Sequence, residues 1–329
     1  MDLSTPYMGF KLAHPIIPGA SPLVDDLDAV RRLEDAGAPA IVMHSLFEEQ
    51  IVGEEIATRR AIEEPALSFS EASGYLPRSA EYKLGPDAYL DQVRRLKEAL
   101  GIPIIASLNG TTLGGWTEYA RLIEQAGADG LELNTYYLAT DPSISGAEIE
   151  SRTLELVRAV RKSVTIPLAV KLSPYYSSFA NFASRLTDAG AQALVIFNRL
   201  YQPDIDLEQL ELVRVNLSSS TELLLRLRWL AILHGRIRAQ LAATGGVHTA
   251  TDALKALMCG ADVVQMVSAL LMHGPLALQR TVSGIRQWLT EQEYESLAQL
   301  RGSMSLRRCP DPAAYERANY TRMLQSWNP

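Results

Sequence analysis

The sequence predicts one (β/α)8 barrel, the TIM-barrel architecture, and three observations carry that expectation. Eight apolar runs of strand length recur along the chain, amphipathic segments of helix length separate them, and a small-Gly-Ala phrase closes four of those segments. Strand and helix alternating through a whole chain mean a parallel sheet with right-handed crossovers. Eight strands with such regular punctuation favour a closed barrel over an open doubly wound sheet. The open alternative would want a G-x-G-x-x-G after the first run, and none is there.

A short hairpin around Gly9 opens the chain, capping the barrel over residues 1–14. The strand-length runs follow at 15–20, 40–45, 103–108, 130–134, 167–172, 193–198, 240–244 and 262–266. They are almost continuously apolar, as parallel strands buried on both faces must be. Helical periodicity marks 25–36, 87–100, 116–126, 147–163, 179–189 and 250–258. The phrases Ala36-Gly37-Ala38, Ala126-Gly127-Ala128, Ala189-Gly190-Ala191 and Cys259-Gly260-Ala261 place a glycine just past a helix, where a left-handed residue closes it. Pro103 and Pro167 stop the helices before the third and fifth strands.

Two insertions, residues 46–85 and 199–221, follow the second and sixth strands and therefore lie at the carboxyl mouth, where barrels build their sites. A charged helical tail from about 291 to 329 falls outside the barrel and is expected to pack on it or to meet another subunit. With no linker in view, residues 1–329 are expected to form a single domain.

Composition narrows the function classes. The chain has 329 residues, 47% of them hydrophobic, and a formal charge of −7 from 31 basic and 38 acidic side chains. An acidic surface without a basic run argues against nucleic-acid binding. No uninterrupted apolar stretch reaches the length of a membrane span, and the first residues lack the pattern of a signal peptide. A cytoplasmic protein is expected. Cys259 and Cys309 are the two cysteines, too few for a disulfide framework, an iron–sulfur site or a zinc site, so no metal is expected.

The strand ends carry the chemistry. The first strand ends in Gly19-Ala20-Ser21, the second in His44-Ser45, the third in Asn109-Gly110, the fourth in Asn134, the fifth in Lys171 and the sixth in Asn198. Small residues at the first end admit a flat ring against the backbone, or simply pack tightly. Lys171 sits in the apolar strand Leu168-Ala169-Val170-Lys171-Leu172, where burial demands an anionic or polar partner. That partner is either a ligand or a barrel carboxylate such as Glu132. Asparagine offers both donors and acceptors, which suits the edges of a heterocycle. The seventh and eighth strands run into Thr244-Gly245-Gly246-Val247 and Met266-Val267-Ser268-Ala269, the loops from which barrels commonly build a phosphate site. A Gly-Gly pair is also an ordinary turn.

The motifs Ser45-Leu46-Phe47-Glu48-Glu49-Gln50-Ile51, Ala106-Ser107-Leu108-Asn109-Gly110 and Leu131-Glu132-Leu133-Asn134 stand in order along the chain. Ala169-Val170-Lys171-Leu172-Ser173-Pro174-Tyr175, Phe197-Asn198-Arg199, Tyr201-Gln202-Pro203-Asp204-Ile205-Asp206, Thr244-Gly245-Gly246-Val247 and Cys259-Gly260-Ala261-Asp262 follow them. This ordered set resembles the dihydroorotate dehydrogenase family, and within it the dihydroorotate dehydrogenase-like branch. The resemblance implies flavin mononucleotide (FMN) over the mouth, lined by Ala20 and Ser45. Asn134 and Lys171 would contact its ring, and the amides near Gly245, Gly246, Val267 and Ser268 would hold its phosphate. Asn134 and Asn198 would bind substrate. The family reaction moves a hydride from dihydroorotate to the flavin while a base takes the neighbouring proton, and a homodimer is also implied.

Two departures bear on that reaction. Where the family carries a cysteine or serine base, this chain reads Asn134-Thr135-Tyr136-Tyr137-Leu138-Ala139, which puts Tyr137 at the base position and Ala139 in place of a substrate-binding asparagine. An ordinary tyrosine, with a pKa of about 10, is a poor base unless its site lowers that value. His44 stands where the family carries lysine, either as a proton-transfer group or as a packing or flavin contact. Ser143 and Ser145 are fallback bases or ordinary turn residues.

The expected function is an FMN-dependent oxidation or reduction of a C–C bond in dihydroorotate or a related small polar substrate, of the pyrimidine-biosynthesis type, with Tyr137, Lys171 and His44 as catalytic candidates. The alternative is a flavin-binding module or subunit without that activity. A barrel lyase or synthase that binds phosphate without flavin fits poorly with Asn134, Lys171, Asn198 and Gly245-Gly246 together. The electron acceptor is not readable.

Overall fold

The computed structural model describes residues 1–47, 86–109, 113–135, 137–199, 203–214, 217–316 and 318–326. Strand β1 (Thr5–Tyr7) pairs antiparallel with β2 (Phe10–Leu12). Their turn is Met8-Gly9, with φ of 50° and 81°, the handedness that matches the twist of a hairpin. A methionine in the left-handed region is strained. It is held there because its amide donates to Gln240 Oε1 at 2.6 Å and its side chain is 1% exposed.

Eight parallel strands follow: β3 (Ile16–Pro18), β4 (Ile41–Phe47), β5 (Ile104–Asn109), β6 (Gly130–Asn134), β7 (Leu168–Leu172) and β8 (Ala193–Ile196). After a separate hairpin of β9 (Pro203–Asp206) and β10 (Glu211–Arg214), β11 (Gln240–Thr244) and β12 (Val263–Met266) complete the set. The ladder runs β3-β12-β11-β8-β7-β6-β5-β4, and its two end strands meet at the seam, giving a nearly closed barrel. The intervening helices are α1 (Leu27–Asp35), α2 (Pro86–Ala99), α3 (Leu113–Gln125), α4 (Gly146–Ser163), α5 (Phe179–Asp188), α6 (Leu223–Leu233) and α7 (Ala250–Cys259). Then come α8 (Ser268–His273), α9 (Leu276–Glu291), α10 (Leu297–Leu300) and α11 (Ala318–Gln325). This is the (β/α)8 architecture that the alternation predicts. The four closing glycines have φ between 98° and 113°, as their phrases require.

Period-two alternation sorts each strand into an inner and an outer set. The outer set packs against the helices in one continuous core. The inner set is apolar near the floor, where Ile17, Val42, Ile105, Ala169, Val195, Ala242 and Val263 meet Tyr7, Met8 and Leu12 of the hairpin. Two residues further along the same strands it turns polar, at Ser107, Glu132, Lys171 and Gln265, all buried. The barrel is thus stoppered below by apolar residues and lined with polar ones above.

Several details differ from the sequence expectation. The second strand continues to Phe47, so the insertion begins later; residues 48–85, with Glu48-Glu49-Gln50-Ile51, lie outside the described residues, as do Gly110, Tyr136, Tyr201 and Gln202. The insertion after β8 contains the β9–β10 hairpin. Strand β8 stops at Ile196, which leaves Asn198 in the loop beyond it. Helix α6 escapes a periodicity search because leucines occupy most of its sides. The tail packs: Gly302, Met304 and Leu306 donate backbone N–H groups to Leu257, Met258 and Ala231 at 2.9–3.0 Å, across the ends of α7 and α6.

Candidate functional site

At the carboxyl ends of the strands, four side chains from four separate segments form a string of hydrogen bonds. Ser107 and Ser45 hydroxyls lie 2.8 Å apart, Asn134 Nδ2 donates to Ser45 Oγ at 3.2 Å, and Asn198 Nδ2 donates to Asn134 Oδ1 at 2.6 Å. Buried polar groups need such partners, and meeting them here fixes the orientation of both asparagines.

Lys171 lies beside Asn134 in register. It is 9% exposed, and its Nζ is 3.5 Å from Glu132 Oε1. Glu132, 1% exposed, accepts a 2.6 Å bond from Gln265 Nε2 at its other oxygen. Glu132 Oε1 and Gln265 Oε1 accept no hydrogen bond. The structural alternative for Lys171 is therefore real: its partner is the barrel carboxylate Glu132. The same lysine stands next in register to Asn134, at one end of the asparagine string.

The expected phosphate end has a defined shape. Gly245 and Gly246 have φ of 84° and 79°. A Cβ on Gly245 would stand 2.6 Å from Arg226 Nη2, and one on Gly246 would stand 2.6 Å from the backbone nitrogen of Leu223. Arg226 is buried behind them, donating to the carbonyls of Thr244 and Glu222. In front, Gly246 N–H donates to Ser218 Oγ at 3.3 Å, and Ser218 N–H donates to Ser268 Oγ at 3.0 Å. His248 Nε2 lies 3.2 Å from the Ser218 hydroxyl. Val267 is half-buried and packs against Gly19, where a Cβ would come within 2.9 Å of Val267 Cγ2. Gly19 is therefore explained by packing, while Ala20 next to it is partly exposed at the mouth.

His44 sits at an irregularity of β4, where the register with β5 shifts between Val42 and Ser45. Such a bulge re-aims a side chain. Val42 and Ser45 both join the barrel interior, and His44 packs against Asp25 and Tyr89 instead. Its Nδ1 lies 2.7 Å from Asp25 Oδ1 in the turn after β3, and its ring meets Tyr89 of α2 edge-on at 5.2 Å. The Tyr89 hydroxyl lies 3.1 Å from His44 O and 3.0 Å from Ser107 O, and it accepts Ser107 N–H. Burial pushes the His44 pKa below the ordinary histidine value, and the Asp25 carboxylate opposes that shift.

Tyr137 is not brought into these contacts. It stands 40% exposed in the loop after β6. Ser143 donates to Asp141 Oδ1 at 2.7 Å in an exposed turn, and Ser145 caps α4 by accepting Glu148 N–H at 3.2 Å. Both fallback serines are thus turn and cap residues. Cys259 ends α7 at the base of the barrel, and burial raises its thiol to about 11. Sequence reasoning missed Ser107, Gln265, Asp25, Tyr89, Ser218, Arg226 and His248. The first two carry the same signal as Lys171, a lone polar residue at an inward position of an apolar strand. The others come from turns and helices, where no such alternation exists.

Among the described residues no three His, Cys, Asp or Glu side chains gather as a metal site, and no helix is long and apolar enough to cross a membrane.

Comparison with known sequences places these features in context. The sequence pattern described as dihydroorotate dehydrogenase matches residues 63–289. The catalytic subunit of dihydroorotate dehydrogenase B (NAD(+)) from Geobacter sp. (strain M21) is 27% identical over 321 residues, covering 93% of this chain and 99% of that one. The NAD-dependent dihydropyrimidine dehydrogenase subunit PreA of Escherichia coli (strain K12) is 26% identical over 322 residues, covering 92% of this chain and 76% of that one.

Proposed function

The chain belongs to the dihydroorotate dehydrogenase family, and from that premise we propose that it is an FMN-dependent oxidoreductase acting on a CH–CH bond of dihydroorotate or a related dihydropyrimidine. The observation that carries the reading is the mouth itself, where the Lys171 ammonium lies next in register to Asn134, which is bonded to Asn198. A flavin fits these residues. Gly245 and Gly246 let the turn after β11 pack directly on Arg226 and the Leu223 backbone, and a cation with amide donors stands above an apolar floor. When bound, FMN supplies a hydride acceptor.

The chain's own residues divide the remaining work. Gly245, Gly246, Val267 and Ser268 would hold the phosphate, Ala20 and Ser45 would line the ring, and Lys171 would place positive charge beside the ring edge that gains electrons. Asn134 and Asn198, oriented by their mutual bond, would read the polar edge of the substrate. The proton-taking group belongs to the rim, where both His44 and Tyr137 stand. The relatives' names add two further parts to the proposal: a dihydropyrimidine substrate class, and a partner subunit. A homodimer, a cytoplasmic location and a role in pyrimidine metabolism complete it.

The second reading is a flavin-binding subunit without this activity. It is favoured by one observation, the exposure of Tyr137 at the position where the family carries its base. One measurement tests the flavin that both readings share, and a second separates them. Denaturing the purified protein should release FMN, and a colourless protein would end the flavin assignment. Anaerobic mixing with dihydroorotate, then dihydrouracil, should bleach the flavin; persistent colour with both favours the subunit reading.

A further inference from the structure

We propose that His44, held by Asp25, is the base that takes the substrate proton at this mouth, in place of a side chain from the loop after β6. The proposal rests on the oxidoreductase reading and assigns its missing group.

Four observations support it. First, the β4 register shifts at His44, which directly precedes Ser45 in the strand, and the Ser45 hydroxyl accepts from Asn134. Second, Nδ1 and Asp25 Oδ1 are both buried and lie 2.7 Å apart as a charge contact outside hydrogen-bond geometry, and 21% of the His44 side chain remains exposed. Third, the ring is held from two directions, by the Asp25 carboxylate and by the edge-on Tyr89 ring. A histidine whose Nδ1 faces a carboxylate keeps one tautomer, with Nε2 free to accept a proton. Fourth, Tyr137 has no comparable support among the described residues.

The electrostatics agree with that assignment. Among the described residues, Asp25 from the turn after β3 is the charge that acts on His44, and Tyr89 from α2 is the other titratable group against it. Glu132, beyond Ser107, acts on Tyr89. Burial lowers the His44 pKa, so the imidazole is neutral and ready at neutral pH, while Asp25 stabilises the cation formed on proton uptake.

The step balances. Two hydrogens leave neighbouring carbons of a dihydropyrimidine. One would leave with its electron pair to a hydride acceptor, which FMN would supply when bound, and the other would leave as a proton to His44 Nε2. A carbon–carbon double bond forms in the oxidised ring, and the imidazolium later returns its proton to water.

The test is the rate at which dihydroorotate or dihydrouracil bleaches the protein-bound flavin, measured anaerobically from pH 5 to 9 in the parent, H44N, D25N and Y137F. Flavin content and the histidine NMR titration are read on the same proteins. H44N should keep its flavin and slow by about 10²- to 10⁴-fold, the usual contribution of a general base. Y137F should stay within a few fold of the parent. D25N keeps the histidine, so its NMR midpoint and the rise of rate with pH should both move toward acid. A full-speed H44N protein, or a large loss confined to Y137F, overturns the assignment. A D25N protein with an unmoved His44 titration overturns the role given to Asp25. A parent that bleaches with neither compound overturns the oxidoreductase reading beneath it, a result distinct from the others.

Discussion

Asn198 donates its side-chain amide to Asn134 Oδ1 at 2.6 Å, joining the loop beyond β8 to the end of β6 across the intervening strand β7. Asn134 in turn donates to Ser45. One residue therefore holds two others in place.

Asn134→Ala should accordingly damage more than its own contact. Leaving partly buried partners unpaired costs about 1–3 kcal/mol. The unfolding free energy from urea titration should fall by that amount, lowering the midpoint, and FMN content should fall with it. A variant with an unchanged midpoint and full flavin would remove Asn134 from the site.

Lys171 and Glu132 form a buried pair, so the order of substitution matters. Lys171→Met strands a carboxylate that is 1% exposed, and breaking such a pair from one side costs about 3–5 kcal/mol. Adding Glu132→Gln should restore most of the stability but not the flavin. If the double variant is as unstable as Lys171→Met alone, the pair is not the reason for the loss.

Gly246→Ala meets two obstacles at once, a φ of 79° and a Cβ placed 2.6 Å from the Leu223 backbone. The conformation alone costs about 1–2 kcal/mol for a residue with a side chain. Loss of affinity for FMN larger than that for riboflavin is expected, since the change is at the phosphate end. Equal losses for both ligands would place the phosphate elsewhere.

His14 supplies a pH dependence that can be measured without any ligand. Its Nδ1 accepts Ile16 N–H at 3.3 Å, and Nε2 faces the Gly37 carbonyl at 2.7 Å. The neutral ring uses both nitrogens, and protonation would break the first bond. Burial, the largest cause, holds its pKa below the ordinary value, as it also does for His44 and His234. For a depressed histidine the unfolded chain binds the proton first. The stabilisation is complete above about pH 6.5 and is lost as pH falls through the folded value. Urea midpoints should therefore decline from pH 7 toward pH 5, and His14→Gln should flatten the decline. A flat profile in the parent contradicts this.

The sequence made the barrel legible because its signals are local and repeated. Strand-length runs and closing glycines each need only a few neighbours, and β4 to β8 fall within a few residues of where the runs place them. Lys171, Asn134 and Asn198 were readable for a related reason, since a polar residue at the end of an apolar strand has a known destination. Asp25 and Tyr89 were not. Their meeting with His44 depends on a bulge and on the docking of a helix from beyond residue 85, neither of which leaves a period in the sequence. The choice of Glu132 as the lysine's partner was visible as one of two options, because inward positions on adjacent strands share a layer.

The hairpin beneath the barrel gives the site its direction of traffic. Tyr7, Met8 and Leu12 close the floor with almost no exposed surface, and Gln240 fastens them on both sides of the turn by accepting from Met8 and donating to Pro6. Among the described residues the base is thus closed, so a molecule reaching Lys171 and Asn134 would come from the carboxyl ends of the strands.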